Sequence, residues 1–224
     1  MSIGAAAVIA AAAPVSWVQQ GLAAMSETDG HGDTCGPIVI ADYIHVVQGL
    51  TLSVQEIDTL RSEYIAAGLM NTPQYTGMTA TSISAALQKF HGVTPLKVVP
   101  WGQATFDSFH SDLINALIAH QAVIQETTNA SALPGNQGNV QNHFILHWGI
   151  QSDIGYYACN GDTTIALNQG GVVGPVWYNR GNLAAAGVGA YLILPGLPSP
   201  DIPDAITLIK AAQASLTASL AKLA

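Results

Sequence analysis

A chain of 224 residues, 49% hydrophobic and only 9% charged, is long enough to bury a sizeable core in one ordinary domain with appendages. Six Lys plus Arg stand against fourteen Asp plus Glu, a formal net charge of −8, and no Lys/Arg cluster occurs, which argues against nucleic acid and anionic membrane as partners. The two cysteines, Cys35 and Cys159, fall in segments of different character, so neither a disulfide framework nor a redox compartment is read from them.

The chain opens with an apolar, Ala-rich stretch from Ile3 to Ala13 that no Lys or Arg precedes and that is too short to span a bilayer. Pro14 interrupts it, and Val15, Trp17, Val18, Leu22 and Met25 continue an amphipathic pattern. Residues 1–25 are therefore read as a separate helical segment, buried or facing a partner, with an export segment as the other reading. Next, Gly30, Gly32 and Asp33 make an irregular approach to Thr34-Cys35-Gly36-Pro37. The almost wholly apolar run from Ile38 to Val47, closed by Gly49, predicts a buried helix. Pro37 suits its first turn, which puts Cys35 at or beside the N-cap.

Ser53-Val54-Gln55-Glu56 is a capping-box pattern opening a helix to about Ala67, with Val54, Ile57, Leu60 and Tyr64 on one face. Thr79 or Thr81 opens another that ends near Gly92, and Leu96 to Val99 reads as a short strand. Phe106, Phe109, Leu113, Ile114, Leu117 and Ile118 predict a third amphipathic helix. Residues 128–141 are polar, Gly-rich and without period, a loop placed to flank a substrate cleft. Phe144 to Ile150 and Gly155 to Asn160, parted by Gln151-Ser152-Asp153-Ile154, predict a hairpin with His143 and Asn160 at the same end. Gly189 to Leu194 is the last strand of a domain spanning 26–196. Residues 197–224 continue a Pro-rich linker into a helix whose seam, Ile202, Ile206, Ile209, Gln213, Leu216, Leu220 and Leu223, either packs on its own domain or drives assembly. Helices first and an antiparallel sheet afterwards give an α+β class.

The chemistry concentrates in two segments. A thiol becomes a good nucleophile when a helix N-terminus and a neighbouring imidazolium favour its thiolate, and Cys35 with His143 offers both. Asn160 and Asp162 share strand parity, so alternation does not choose between them as the group that orients the imidazole; Cys159, of opposite parity, faces away. His147 shares parity with His143 and is read as a structural histidine. His31, Asp33 and Cys35 with His143 could make a zinc site, but no further metal-binding spacing supports it, so neither metal nor cofactor is expected.

Cys-Gly-Pro opening an apolar helix, then His143-Phe144-Ile145-Leu146 far downstream, a Gly, and a Tyr-rich strand ending in Asn or Asp resembles the papain-like cysteine peptidases of the bacteriocin-leader-processing branch. Gly77-Met78-Thr79 before Ile83-Ser84-Ala85-Ala86-Leu87 is similar to that family's Gly-Thr turn and second helix, and Gln121-Ala122-Val123-Ile124-Gln125 to the strand preceding its histidine. The likeness covers most of residues 29–195. It implies a papain-like fold and a triad of Cys35 as nucleophile, His143 as base and Asn160 as orienter, where the family usually has Asp-Pro and this chain has Asn160-Gly161-Asp162. The family's oxyanion glutamine is replaced by Asp29, leaving His31, Gln19, Gln20 or the Cys35 backbone N–H to supply the donor. The implied activity is a peptidase acting on peptides, cell-wall peptides included. With neither a membrane span nor a Gly-x-x-x-x-Gly-Lys motif, a stand-alone enzyme, virion-associated or secreted, is expected. A non-catalytic binding or structural protein keeping the fold, and an acyl or peptidyl transferase of the phytochelatin-synthase type, are the alternatives.

Overall fold

A computed structural model describes residues 34–48, 50, 52–73, 76–134, 142–150, 155–159 and 176–196. The expectations for 1–25, for Asp29, His31, Gln19 and Gln20, for Asn160 and Asp162, and for 197–224 lie outside the described residues. The described part is mixed α+β: α1 (Cys35–Gln48), α2 (Val54–Ala66), α3 (Ala80–His91), β1 (Lys97–Val99), α4 (Phe106–Ile118), β2 (Ala122–Thr127), a 3-10 turn (Ala130–Ala132), β3 (His143–Ile150), β4 (Tyr156–Cys159), β5 (Val176–Tyr178), α5 (Arg180–Ala186) and β6 (Ala190–Leu194). None of the described helices is long and apolar enough to cross a membrane.

The helix limits follow from their caps. Ser53 and Glu56 form the expected reciprocal capping box of α2. Thr79, not Thr81, caps α3 by accepting from the Ser82 N–H, and Gly92, left-handed at φ 67°, ends it. Thr105 caps α4. One face of α4, with Phe109, Leu113, Ala116 and Leu117, is buried, but Ile118 is 59% exposed, contrary to its place in the predicted apolar face. It follows Leu117 by a single residue and so turns about 100° away from the stripe.

The strands form a six-stranded antiparallel sheet in the order β1-β6-β2-β3-β4-β5. The β3–β4 hairpin is present, with Leu146 opposite Cys159, Ile150 opposite Tyr156 and an irregularity between His147 and Gly149. The last strand, β6, inserts beside β2 in the middle of the sheet. On one face Val39, Ile40, Tyr43 and Ile44 of α1 and Ile83 and Leu87 of α3 pack on Ile124, Phe144, Leu146, Trp148 and Leu192. On the other, Phe109, Leu113 and Leu117 of α4 and Leu183 of α5 pack on Val123, Ile145, Tyr156, Tyr191 and Ile193. The predicted loop after β2 is not wholly irregular: Ala130 and Leu133 are buried around the 3-10 turn.

Candidate active site

Cys35 is the first residue of α1. The Thr34 carbonyl accepts the first intrahelical bond, from the Ile38 N–H at 3.0 Å. Thr34 is therefore the cap position, and the N–H groups of Cys35 and Gly36 have no acceptor within the helix. Pro37, in the same turn, has no N–H to leave unmatched. The Thr34 hydroxyl is buried without a hydrogen-bond partner among the described residues, so it does not make the usual cap bond. Cys35 is half-buried. Gly36 has a packing reason: a Cβ there would lie 2.8–2.9 Å from Met78 Sδ, Cγ and Cβ. The Gly77-Met78-Thr79 turn thus crosses directly over the helix start.

That turn forms one wall of a cleft of about 500 Å³ into which Cys35 opens. Gly77 adopts φ 81°, a conformation that suits glycine, and is fastened twice to Asn71: its carbonyl accepts from the Asn71 N–H at 3.0 Å and its own N–H donates to Asn71 Oδ1 at 2.7 Å. Opposite stand Trp101, Glu126, Asn142 and Phe144. Trp101, half exposed, lies across Gly189, where any Cβ would overlap its ring. A concavity of about 530 Å³ elsewhere, bordered by Ile44, Leu52, Leu60 and Phe90, includes neither of the two motif segments.

His143 opens β3 as predicted, facing Thr127 across the ladder, and its carbonyl accepts from Thr127 Oγ1 at 3.1 Å. The residue is 2% exposed. The residues on either side of it, Asn142 and Phe144, border the Cys35 cleft. Strand alternation sets His143 with Ile145 and His147 on the α4 face, whereas Cys35 packs with the cluster on the α1 face. β4 is described as far as Cys159, opposite Leu146, and so does not reach the position where an orienting side chain would be sought.

His147 is completely buried. Its Nε2 lies 2.8 Å from Gln125 Oε1, and burial lowers its pKa to about 3, so the ring is neutral and Nε2 carries the donated proton. Two helix histidines meet tyrosine hydroxyls: His91 Nε2 lies 2.8 Å from Tyr64 Oη and His110 Nε2 lies 2.6 Å from Tyr156 Oη.

One cleft residue escaped the sequence pattern. Glu126, only 7% exposed, follows Gln125 at the end of a strand whose six residues are all buried. Burial pushes its carboxyl up to about 7. Its parity with Ala122 and Ile124 was the available signal, a carboxylate on the α1 side of an otherwise apolar face. Among the described residues no group of three or more His, Cys, Asp or Glu side chains is arranged to hold a metal.

No protein-family model matches the chain, and no curated protein matches it.

Proposed function

We propose that the protein is a thiol hydrolase of papain-like fold that cleaves peptide bonds. The observation that carries this reading is the junction at one cleft of Cys35, first residue of a buried helix, with the two residues flanking His143. In this mechanism the Cys35 thiolate attacks the scissile carbonyl while the helix-start N–H groups receive the oxyanion. His143 takes the thiol proton, returns it to the leaving amine, and then activates the water that releases the acyl group. Because His143 belongs by alternation to the opposite sheet face, this mechanism requires its ring to reach the thiol around the end of β3, not across the sheet. Asn160 or Asp162 fixes its tautomer.

The test is hydrolysis of a mixed peptide library, cell-wall peptides included, read by mass spectrometry. Cys35→Ala should abolish cleavage and His143→Ala should lower it by about 100-fold or more. Of Asn160→Ala and Asp162→Ala, the one with the larger loss identifies the orienter. Cleavage that survives Cys35→Ala would overturn the reading. A second reading, a non-catalytic peptide-binding domain, is favoured by Asp29, which stands in sequence where the resembling family has its oxyanion glutamine, and by the face assignment of His143. It predicts peptide binding without cleavage. Added amine acceptors separate transfer from hydrolysis, since a transferase would yield the amide.

A further inference from the structure

We propose that the Cys35 cleft selects peptides bearing a primary ammonium group, with the Glu126 carboxylate as the receptor for that cation. This rests on the peptide-hydrolase reading and adds to it the class of substrate.

Glu126 projects from β2 on the same sheet face as α1 and borders the cleft together with Cys35. It is more than nine-tenths buried, and among the described residues its side chain makes no hydrogen bond and no ion pair. Phe144 stands directly opposite it on the ladder, and Pro100 and Trp101 line the same cleft, with Asn142 and the threonines of the 76–81 segment as its uncharged polar lining. Removing a carboxylate from water without compensation is costly, and a core position would normally be filled by an apolar residue instead. The other buried polar residues of β2 show that partners can be supplied, since Gln125 uses both ends of its amide. An open carboxylate among aromatic rings matches a ligand with a cationic tip on an apolar stem. The methylenes of a lysine would lie along Trp101 and Phe144 while the ammonium meets Glu126. No Lys or Arg among the described residues borders the cleft to compete for it. A lysine side chain and a free peptide N-terminus carry the same ammonium, and they differ only in where it stands relative to the scissile bond.

Both the cation preference and its dependence on pH are measurable on the full-length protein. N-acetylated peptidyl acyloxymethyl ketones are prepared with lysine, norleucine or glutamate at either of the two residues next to the electrophile. A further set carries a free N-terminus. Alkylation of Cys35 is followed by mass spectrometry, with iodoacetamide as the reference. The lysine ketone should react about 10-fold faster than the norleucine ketone, an advantage of the size expected for a charge-assisted hydrogen bond. The advantage should be present above the Glu126 titration near 7 and fade below it, because only the carboxylate attracts the cation. Any change of Cys35 or His143 with pH acts on both ketones alike and cancels in the ratio. Glu126→Gln, with folding checked by near-ultraviolet circular dichroism, should erase the ratio. If the free N-terminus gives the advantage instead of lysine, the cation is the terminal one. Equal rates for lysine and norleucine with no terminal preference, or a preference that survives Glu126→Gln, overturn the inference while leaving the thiol reading intact. Cys35 inert to every ketone and to iodoacetamide removes both.

Discussion

The two faces of the sheet treat buried polar groups in opposite ways. Toward α4 most are matched, His147 Nδ1 excepted: Gln125 accepts from His147 Nε2 and donates to the Gly187 carbonyl at 2.7 Å, Tyr156 meets His110, and Tyr191 donates to Asp112. Toward α1 the next residue of the same strand, Glu126, has no such partner among the described residues and opens on the cleft with Cys35. Two adjacent side chains thus separate a hydrogen-bonded network from a carboxylate that none of the described residues pairs. Buried polar groups that are fully paired stabilise and specify a fold, while an unpaired one is retained at a cost to stability.

The comparison breaks most visibly at Gln125. Gln125→Leu would leave the His147 N–H and the Gly187 carbonyl buried and unpaired, and should lower stability by on the order of 2–4 kcal/mol in urea unfolding. A near-neutral result would mean that the paired face is not held by its hydrogen bonds.

The opposite sign is expected one residue later. The Glu126 carboxyl titrates near 7 in the folded chain against 4.5 ordinarily, so the folded state favours its neutral form. Its penalty is absent below about 4.5, grows as pH rises, and is complete above about 7. Glu126→Gln should therefore stabilise the protein by on the order of 2 kcal/mol at mildly alkaline pH, and the gain should vanish in acid. Equal effects at both ends of this range would show that Glu126 is not held in a poorly solvated site.

Gly36→Ala tests the crossing over the helix start. The added methyl meets the Met78 Cβ as well as its flexible end, so relief requires backbone movement and the cost should be about 1–2 kcal/mol. Combining it with Met78→Ala should recover part of that loss, whereas strict additivity would place the strain elsewhere.

The smallest effect concerns His147. Its ring nitrogens should keep one proton between them in nitrogen-detected NMR from neutral pH down to the onset of acid unfolding, since burial holds its pKa near 3. Against an ordinary value of 6.5, the unfolded chain takes up that proton first, so His147 lowers stability as pH falls below about 6.5. A ring titrating near its ordinary value would place His147 in contact with water.

Much of the helical layer was legible because caps are local. Ser53 with Glu56, and Thr79 as one of two candidates, announce a helix by side chains that reach only three residues on, whereas α4 was read from its apolar spacing and its Thr105 cap was missed. The sheet was less legible. β2 is covered on both faces and shows no alternation of exposure, so the different destinations of Gln125 and Glu126 depend on neighbours distant in sequence. β5 and α5 were not predicted, a three-residue strand and a seven-residue helix being too short for periodicity to register. At the site, the Cys35 and His143 segments were recognisable by residue type. The wall contributed by Trp101 depends on packing against Gly189, which no local pattern reveals.

The central claim is that Cys35 is an activated nucleophile served by His143, and the rate of its alkylation by iodoacetamide across the pH range tests this most directly. Peptide mapping resolves Cys35 from Cys159. The account predicts that Cys35 reacts about 10-fold or more faster than Cys159 near neutral pH, and that His143→Ala in a folded variant moves its profile toward that of an ordinary thiol. Equal rates for the two cysteines, or a Cys35 profile unchanged by His143→Ala, would contradict it.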